Sequence, residues 1–412
     1  MSALAERPAG LPLAESRSLN GAARPWRSIA ITPDLAAIEA EWRALEARAL
    51  VTPYQSFGWI NAFVATVGAA HRMEFRHVVL RDATGTAQAI LPLTITRRGG
   101  IRFAEFIGGK HANYHMGLYA PEFAAALDAD AARAMLGEVG AALGGLDGLI
   151  FVNQPTEWQG VPNPTALIAA GPSPSGAYKL ALDQDDCDGT LKRSMSSHAR
   201  KKLKNKRNRF AGFGKSTLVR AEEPGEIERV IDAFLAQKAV RFQAMGVPDP
   251  FADPSVREFL RQAATPGLSV SPPLELYSLD VDGRSVATYV GAVQASRFSG
   301  MATSFDMDSE IAKTSPGEIL LVDLIKLKCH AGVTVFDLGV GEARYKTTIC
   351  DERDELVDTF LPLTAKGRAF ALFSRAKRVA KRRIKSSPLA LKLAQRVSGW
   401  LNRRGSRADI ED

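Results

Sequence analysis

Cysteine is scarce in this chain, and long apolar runs are missing. The three cysteines, Cys187, Cys329 and Cys350, are far apart and form no CxxC or metal-ligand spacing, a pattern typical of a reducing cytoplasm. The six histidines lack ligand spacing too: His111 and His115 stand four apart, but no HExxH frame surrounds them, so no metal is expected. No apolar run approaches the roughly 20 residues of a membrane span. The N-terminus has no apolar core of a secretory signal, and residues 1–25, rich in Ala, Pro, Ser and Gly, read as a disordered lead-in. These absences point to a cytoplasmic protein.

Acidic residues are missing from two stretches, and this explains the net charge of +8. Lys192 to Arg209 holds nine Lys/Arg, and Lys366 to Arg407 holds fourteen, neither with an acid. The remainder carries 30 bases against 45 acids, so the basic character belongs to two segments.

With 412 residues, 46% of them hydrophobic, the chain is long enough for two or three domains with sizeable cores. The pattern is α/β with mixed sheets. Phe75 to Arg81, a turn at Asp82 to Gly85, and Ala87 to Thr96 read as a hairpin. Leu276 to Val281, a turn at Asp282-Gly283, and a return strand repeat that order in the second half. Each hairpin has helices before it and a helix and strand after it, which suggests two copies of one unit. The Pro/Gly/Ser hinge Gly171 to Gly176 marks the boundary. The expected division is 26–175, 176–365 and a basic amphipathic tail, 366–412, able to lie on an anionic inner-membrane surface or to pack on its own domain. Trp59, Ile60, Phe63 and Val67 at helical spacing are expected core.

Four stretches can carry chemistry. In Ser315-Pro316-Gly317-Glu318, Ser315 suits a helix N-cap and Glu318 a capping box. Such a helix start favours an anion, so Lys313, Ser315, Gly317 and Glu318 are the candidate cofactor-phosphate seat, with a plain cap as the alternative. Next, Asp337-Leu-Gly-Val-Gly-Glu342-Ala-Arg-Tyr345-Lys346 follows a buried strand. Asp337 or Glu342 can act as general base, Tyr345 can protonate a leaving thiolate, and Lys346 can hold a carboxylate or phosphate. Alternatively Asp337 forms a structural bridge to Lys346 or Arg344. The polar loop Gly108 to His115 offers Tyr114 and His115 as substrate contacts. Last, the helix carrying Lys192 to Arg209, with Arg200 as its candidate substrate contact, is either a solvated face or a site for phosphates of a cofactor, an RNA or a nucleotide-linked substrate.

Three features make the chain resemble the CelD-type branch of the GNAT superfamily, the bacterial acetyltransferases linked to cellulose and exopolysaccharide production. They are Trp59 after a Thr-Pro-Tyr-Gln-Ser run, the basic helix Ser194 to Arg209, and Ser-Pro-Gly-Glu followed by Asp-Leu-Gly-Val-Gly-Glu-Ala-Arg-Tyr-Lys. The resemblance covers roughly residues 29–362. It implies two tandem GNAT-like units, related to the Fem-type aminoacyl transferases. It also implies acyl-CoA, acetyl-CoA by default, as co-substrate, and an amine or hydroxyl of a sugar or cell-envelope precursor as acceptor. The Arg/Gln-x-x-Gly-x-Gly/Ala loop usual in that superfamily is absent before Ser315. An aminoacyl-tRNA donor therefore stays open, as does a non-catalytic scaffold of polysaccharide machinery.

Overall fold

The computed structural model describes residues 24–266, 272–307 and 310–374. Most of the expected lead-in and residues 375–412 of the expected tail lie outside the described residues.

Both Asp/Gly turns close hairpins. Asp282 and Gly283 have φ of 48° and 82°, the left-handed pair that a two-residue hairpin turn needs. In the first hairpin the Asp82 carboxylate accepts the Thr84 and Thr86 N–H groups at 2.8 and 3.1 Å. Each hairpin lies in its own sheet, and the two sheets run in the same order. In the first, Ser28–Thr32, Glu74–Arg81, Ala87–Arg98 and Ile101–Phe106 are successive antiparallel neighbours, and Gly148–Pro155 then joins in parallel. In the second, Ser216–Ala221, Glu275–Val281, Arg284–Gln294 and Arg297–Phe305 are followed in parallel by Val335–Val340. The fold is a tandem of mixed sheets flanked by helices.

The sheets trade their next strand. Ala177–Ala181, just after the hinge, pairs with Val335–Val340 of the second sheet. Leu356–Pro362, near the end of the described chain, pairs with Gly148–Pro155 of the first. The chain leaves the first sheet after Gly171–Pro172 and enters the second at Ala177, either side of the expected division at residue 175, and 356–362 returns to the first. The returning strand is held by Thr359, whose hydroxyl donates to the Thr165 carbonyl and accepts from Gln154, both at 2.7 Å. The helical stretch 365–374 continues onto that sheet, with Phe370 on Phe103 at 4.8 Å between ring centroids.

The halves also share a core. Trp59 stacks on Phe63 at 5.3 Å and meets Phe259 of helix Pro254–Ala264 edge-on at 5.1 Å. The second core packs helix Pro316–His330 on the second sheet. There Cys187 and Cys329, 142 residues apart, form a disulfide, leaving Cys350 free. The pairing was not legible from spacing, because packing of helix Cys187–Ser194 on helix Pro316–His330 creates it. The expected single basic helix is two, Cys187–Ser194 and Ser197–Phe210, broken where the Ser196 hydroxyl caps the second by accepting the Ala199 N–H.

Candidate active site

Parallel pairing in each sheet is brief. In the second, only Arg297–Ser299 and Val335–Asp337 are in register, and beyond them the strands part. Among the described residues no strand pairs with 300–305 on that side. In the first sheet, Phe103 and Ala104 pair with Gly148 and Leu149 before the strands part. That gap is closed by its own chain: Phe106 lies on Phe151 at 4.4 Å, and His115 Nδ1 bonds the Val152 carbonyl at 3.1 Å. The second gap keeps half-buried walls at Met301, Ala302, Thr303 and Phe305.

The base of the second gap is an interlock between the halves. Asp337 is 0% exposed. Its Oδ1 accepts the Tyr114 hydroxyl at 2.8 Å and the Gly339 N–H at 2.7 Å. Its Oδ2 accepts Arg297 Nε and Nη2 at 3.1 and 2.9 Å and the Ser299 hydroxyl at 3.2 Å. The guanidinium lies over the Trp158 ring at 4.4 Å. Asn113 wedges in beside this network, its amide donating to the Gly300 carbonyl and the Tyr54 hydroxyl, both at 2.7 Å. Gly339 has φ of 70°, and a Cβ there would stand 2.3 Å from the Asn113 amide nitrogen, so both backbone and space demand glycine.

These contacts correct several expectations. Asp337 is saturated by five hydrogen bonds, leaving no lone pair directed at an acceptor. Its ionic partner is Arg297 rather than Lys346, and the side chain of Arg344 lies outside what the structure describes. Tyr114 and His115 are 0% and 2% exposed, buried against protein partners instead of standing on an open loop surface. The loop was polar because it crosses between the two halves.

Around the mouth of the gap, Lys346 donates to the Gly339 and Val340 carbonyls at 3.0 and 2.9 Å. It braces the end of the strand rather than reaching for a phosphate, and burial lowers its amine below the ordinary lysine range. Glu342 accepts the Tyr178 hydroxyl at 2.6 Å and Arg353 at 3.1 Å. The Tyr178 bond chiefly holds its carboxyl low, which makes it a weak base. Tyr345 is half-buried, and burial raises its phenol against the opposing pull of Arg241. Tyr289, whose hydroxyl fits only because residue 300 is glycine, is raised first by burial and then by Tyr345, Asp337 and Tyr54. Tyr54 and Tyr114 of the first half and Tyr289 and Tyr345 of the second thus gather about this gap. Burial pushes the Cys350 thiol up to about 12, so it stays protonated.

The helix start at Pro316 also differs from expectation. Ser315 has φ of 57°, and its side chain makes no cap bond. In that left-handed conformation only its carbonyl serves the helix, accepting the Glu318 and Ile319 N–H groups at 3.0 and 3.3 Å. Glu318 closes no capping box, because its carboxylate is taken by Lys206 of the basic helix. Lys313 pairs with Glu310 at 2.7 Å and stands exposed. Gly317 lies against Phe305, at the end of the gap's wall. Arg200 donates to the Lys192 carbonyl at 2.8 Å and also binds the Met195 carbonyl, bracing the break between the two helices. Arg207 is held by Asp323. Lys201, Lys202 and Lys204 remain exposed. Among the described residues no cluster of three His, Cys, Asp or Glu side chains is placed to hold a metal.

Sequence reasoning missed Arg297, Asn113, Tyr54 and Tyr289. Arg297 carried the one available signal, a lone cation opening a strand whose parallel neighbour contains a buried acid.

Residues 197–347 match the family model for the acetyltransferase (GNAT) domain. No curated protein matches the chain. Among solved structures, FemX is similar at TM-score 0.55 and 9% identity, covering 81% of this chain and 97% of its own. L-PGS from Bacillus licheniformis is similar at TM-score 0.47 and 11% identity, covering 85% and 97%. The tandem GNAT protein from the clavulanic acid biosynthesis pathway is similar at TM-score 0.43 and 12% identity, covering 82% and 99%. The likeness to FemX is one of fold.

Proposed function

We propose that the gap between Arg297–Phe305 and Val335–Val340 is where this GNAT-fold acyltransferase moves an acyl group from acyl-CoA to an amine or hydroxyl. The acceptor we favour is a sugar or cell-envelope precursor, as in exopolysaccharide-linked acetylation. The observation that carries the reading is the backbone edge of 301–305, with which no strand pairs on that side among the described residues, beside Tyr289 on the neighbouring strand. An extended amide-bearing arm, as in the pantetheine of CoA, can bond such an edge as an added strand does. A match of 197–347 to the acetyltransferase domain supports the same site.

The chemistry is direct transfer between aligned reactants. The acceptor nitrogen or oxygen attacks the thioester carbonyl to form the new C–N or C–O bond, the C–S bond breaks, the thiolate takes a proton from a phenol, and the proton shed by the acceptor restores that phenol. Tyr345, with its phenol raised by burial, is the donor for that proton. Asp337 positions the strand and the interlock around it. Calorimetric titration of the full chain with acetyl-CoA tests the reading: saturable binding is expected, and absence of binding rejects it. An aminoacyl-tRNA donor is the second reading, supported by the exposed Lys201, Lys202 and Lys204. Binding of charged tRNA but not acetyl-CoA would select it.

A further inference from the structure

Helix Pro224–Met245 lies across strands Arg284–Gln294 and Arg297–Phe305, and over its first part its charges are paired. Arg229 bonds Asp280 and the Ser285 hydroxyl at 2.9 and 2.6 Å, while Glu228 and Asp232 hold Arg257. Gln237 spans the Ser285 carbonyl and the Ser304 hydroxyl at 3.0 and 2.7 Å.

The next two cations break this pattern. Lys238 Nζ lies 5.0, 5.5 and 5.7 Å from the ring centroids of Phe251, Phe234 and Phe242. Arg241, one turn on, lies 5.9 Å from the centroid of Phe305. Among the described residues neither side chain has a hydrogen bond or an ion pair. Burial among the rings, and then the charge of Arg241, lowers the Lys238 amine to about 8 against the weaker opposing pull of Asp249. A cation pair one turn apart and partly stripped of water costs the fold stability, which an oxyanion laid across it would recover.

The pair's location gives it a use. Phe305 ends the wall of the gap and touches the first turn of helix Pro316–His330 at Gly317. The charge of Arg241 is felt by the Tyr345 phenol. Arg241 therefore lies against Phe305 at the end of the gap's wall, with Lys238 one turn back among the rings of Phe234, Phe242 and Phe251.

We propose that Lys238 and Arg241 form an oxyanion subsite of this cleft, taking a phosphate or carboxylate of one of the two reactants. This rests on the acyl-transfer reading of the gap. Phosphates of the donor and an acidic group of the acceptor are the two sources with this chemistry.

The test is amine-reactive labelling of the full chain at about pH 8, read by peptide mass spectrometry. Labelling is run alone and with inorganic pyrophosphate, acetyl-CoA or S-acetylpantetheine. Pyrophosphate should slow labelling of Lys238 about tenfold relative to the exposed Lys201, as two charge-assisted bonds imply. Arg241→Gln should remove that protection. In calorimetry, Lys238→Met, which keeps the packing of the stem, should weaken pyrophosphate binding by a similar factor. Protection by acetyl-CoA but not S-acetylpantetheine assigns the subsite to the donor. Bound acetyl-CoA that leaves Lys238 reactive, with pyrophosphate protecting, assigns it to the acceptor. Unchanged labelling in pyrophosphate overturns the subsite. Failure of acetyl-CoA to bind rejects the acyl-CoA reading separately, and the pyrophosphate result still decides the subsite.

Discussion

The Tyr114 hydroxyl donates to Asp337 Oδ1 at 2.8 Å across 223 residues of chain. This bond belongs to a buried network that joins a loop of the first half to a strand of the second. Removing Asp337 would leave the Arg297 guanidinium buried without its counter-charge. Asp337→Ala is therefore expected to lower stability by about 3–5 kcal/mol, and Tyr114→Phe by about 1–3 kcal/mol. Urea denaturation measures both. A double variant whose loss falls short of the sum of the single losses would show the coupling. Wild-type stability in Asp337→Ala would refute the interlock.

Tyr345→Phe separates chemistry from binding. If the phenol protonates the leaving thiolate, kcat should fall about a hundredfold. Acetyl-CoA affinity should stay near wild type, since the ring remains. Unchanged kcat would remove Tyr345 from the mechanism.

Acid should destabilise the fold through three buried histidines. His77, His111 and His115 are each held down to about 4 by burial. Between that value and the unfolded value of 6.5 the unfolded chain binds more protons. Stability is then lost as pH falls through this window, and these groups contribute no further loss below about 4. Each site accounts for up to about 3 kcal/mol. His77, with no hydrogen-bond partner for either ring nitrogen among the described residues, is the cleanest case. His77→Leu should leave neutral stability within about 1 kcal/mol and flatten the acid limb of a melting curve taken against pH.

Reduction should also weaken the protein. The Cys187–Cys329 bond closes a loop of 142 residues, worth about 5 kcal/mol at 25 °C in the chain-entropy account. A reductant should lower the urea midpoint of the wild type and leave that of the Cys187→Ser, Cys329→Ser double variant unchanged. An equal shift in both would rule the bond out as the cause.

Local chemistry was legible in the sequence, and long-range pairing was not. The turns at Asp82 and Asp282 announce their hairpins, and their echo announces two similar sheets. Trp59 is core, as its helical spacing implies. Asp337 is visible as a buried acid, but its counter-ion is chosen by strand register, which sets Ser299 opposite it and brings Arg297, two residues back along that strand, within reach. Ser315 shows why a cap motif is only a local preference. The backbone there takes a left-handed turn, and Glu318 finds a stronger partner in Lys206. Lys346 reads as a free cation in sequence, yet strand-end carbonyls face it in the fold. Short strands such as Ala177–Ala181 and Leu356–Pro362 carry no mark of which sheet will receive them.

That exchange of strands sets a timetable for biosynthesis. Gly148–Pro155 leaves the ribosome roughly 200 residues before Leu356–Pro362, a delay of about 10–40 s at ordinary elongation rates. Throughout that interval the early half has a bare, apolar sheet edge and an unfilled place in its core. The nascent chain must be shielded from its neighbours until its last strands emerge, so its yield in a cell should depend on chaperones more than its final stability suggests.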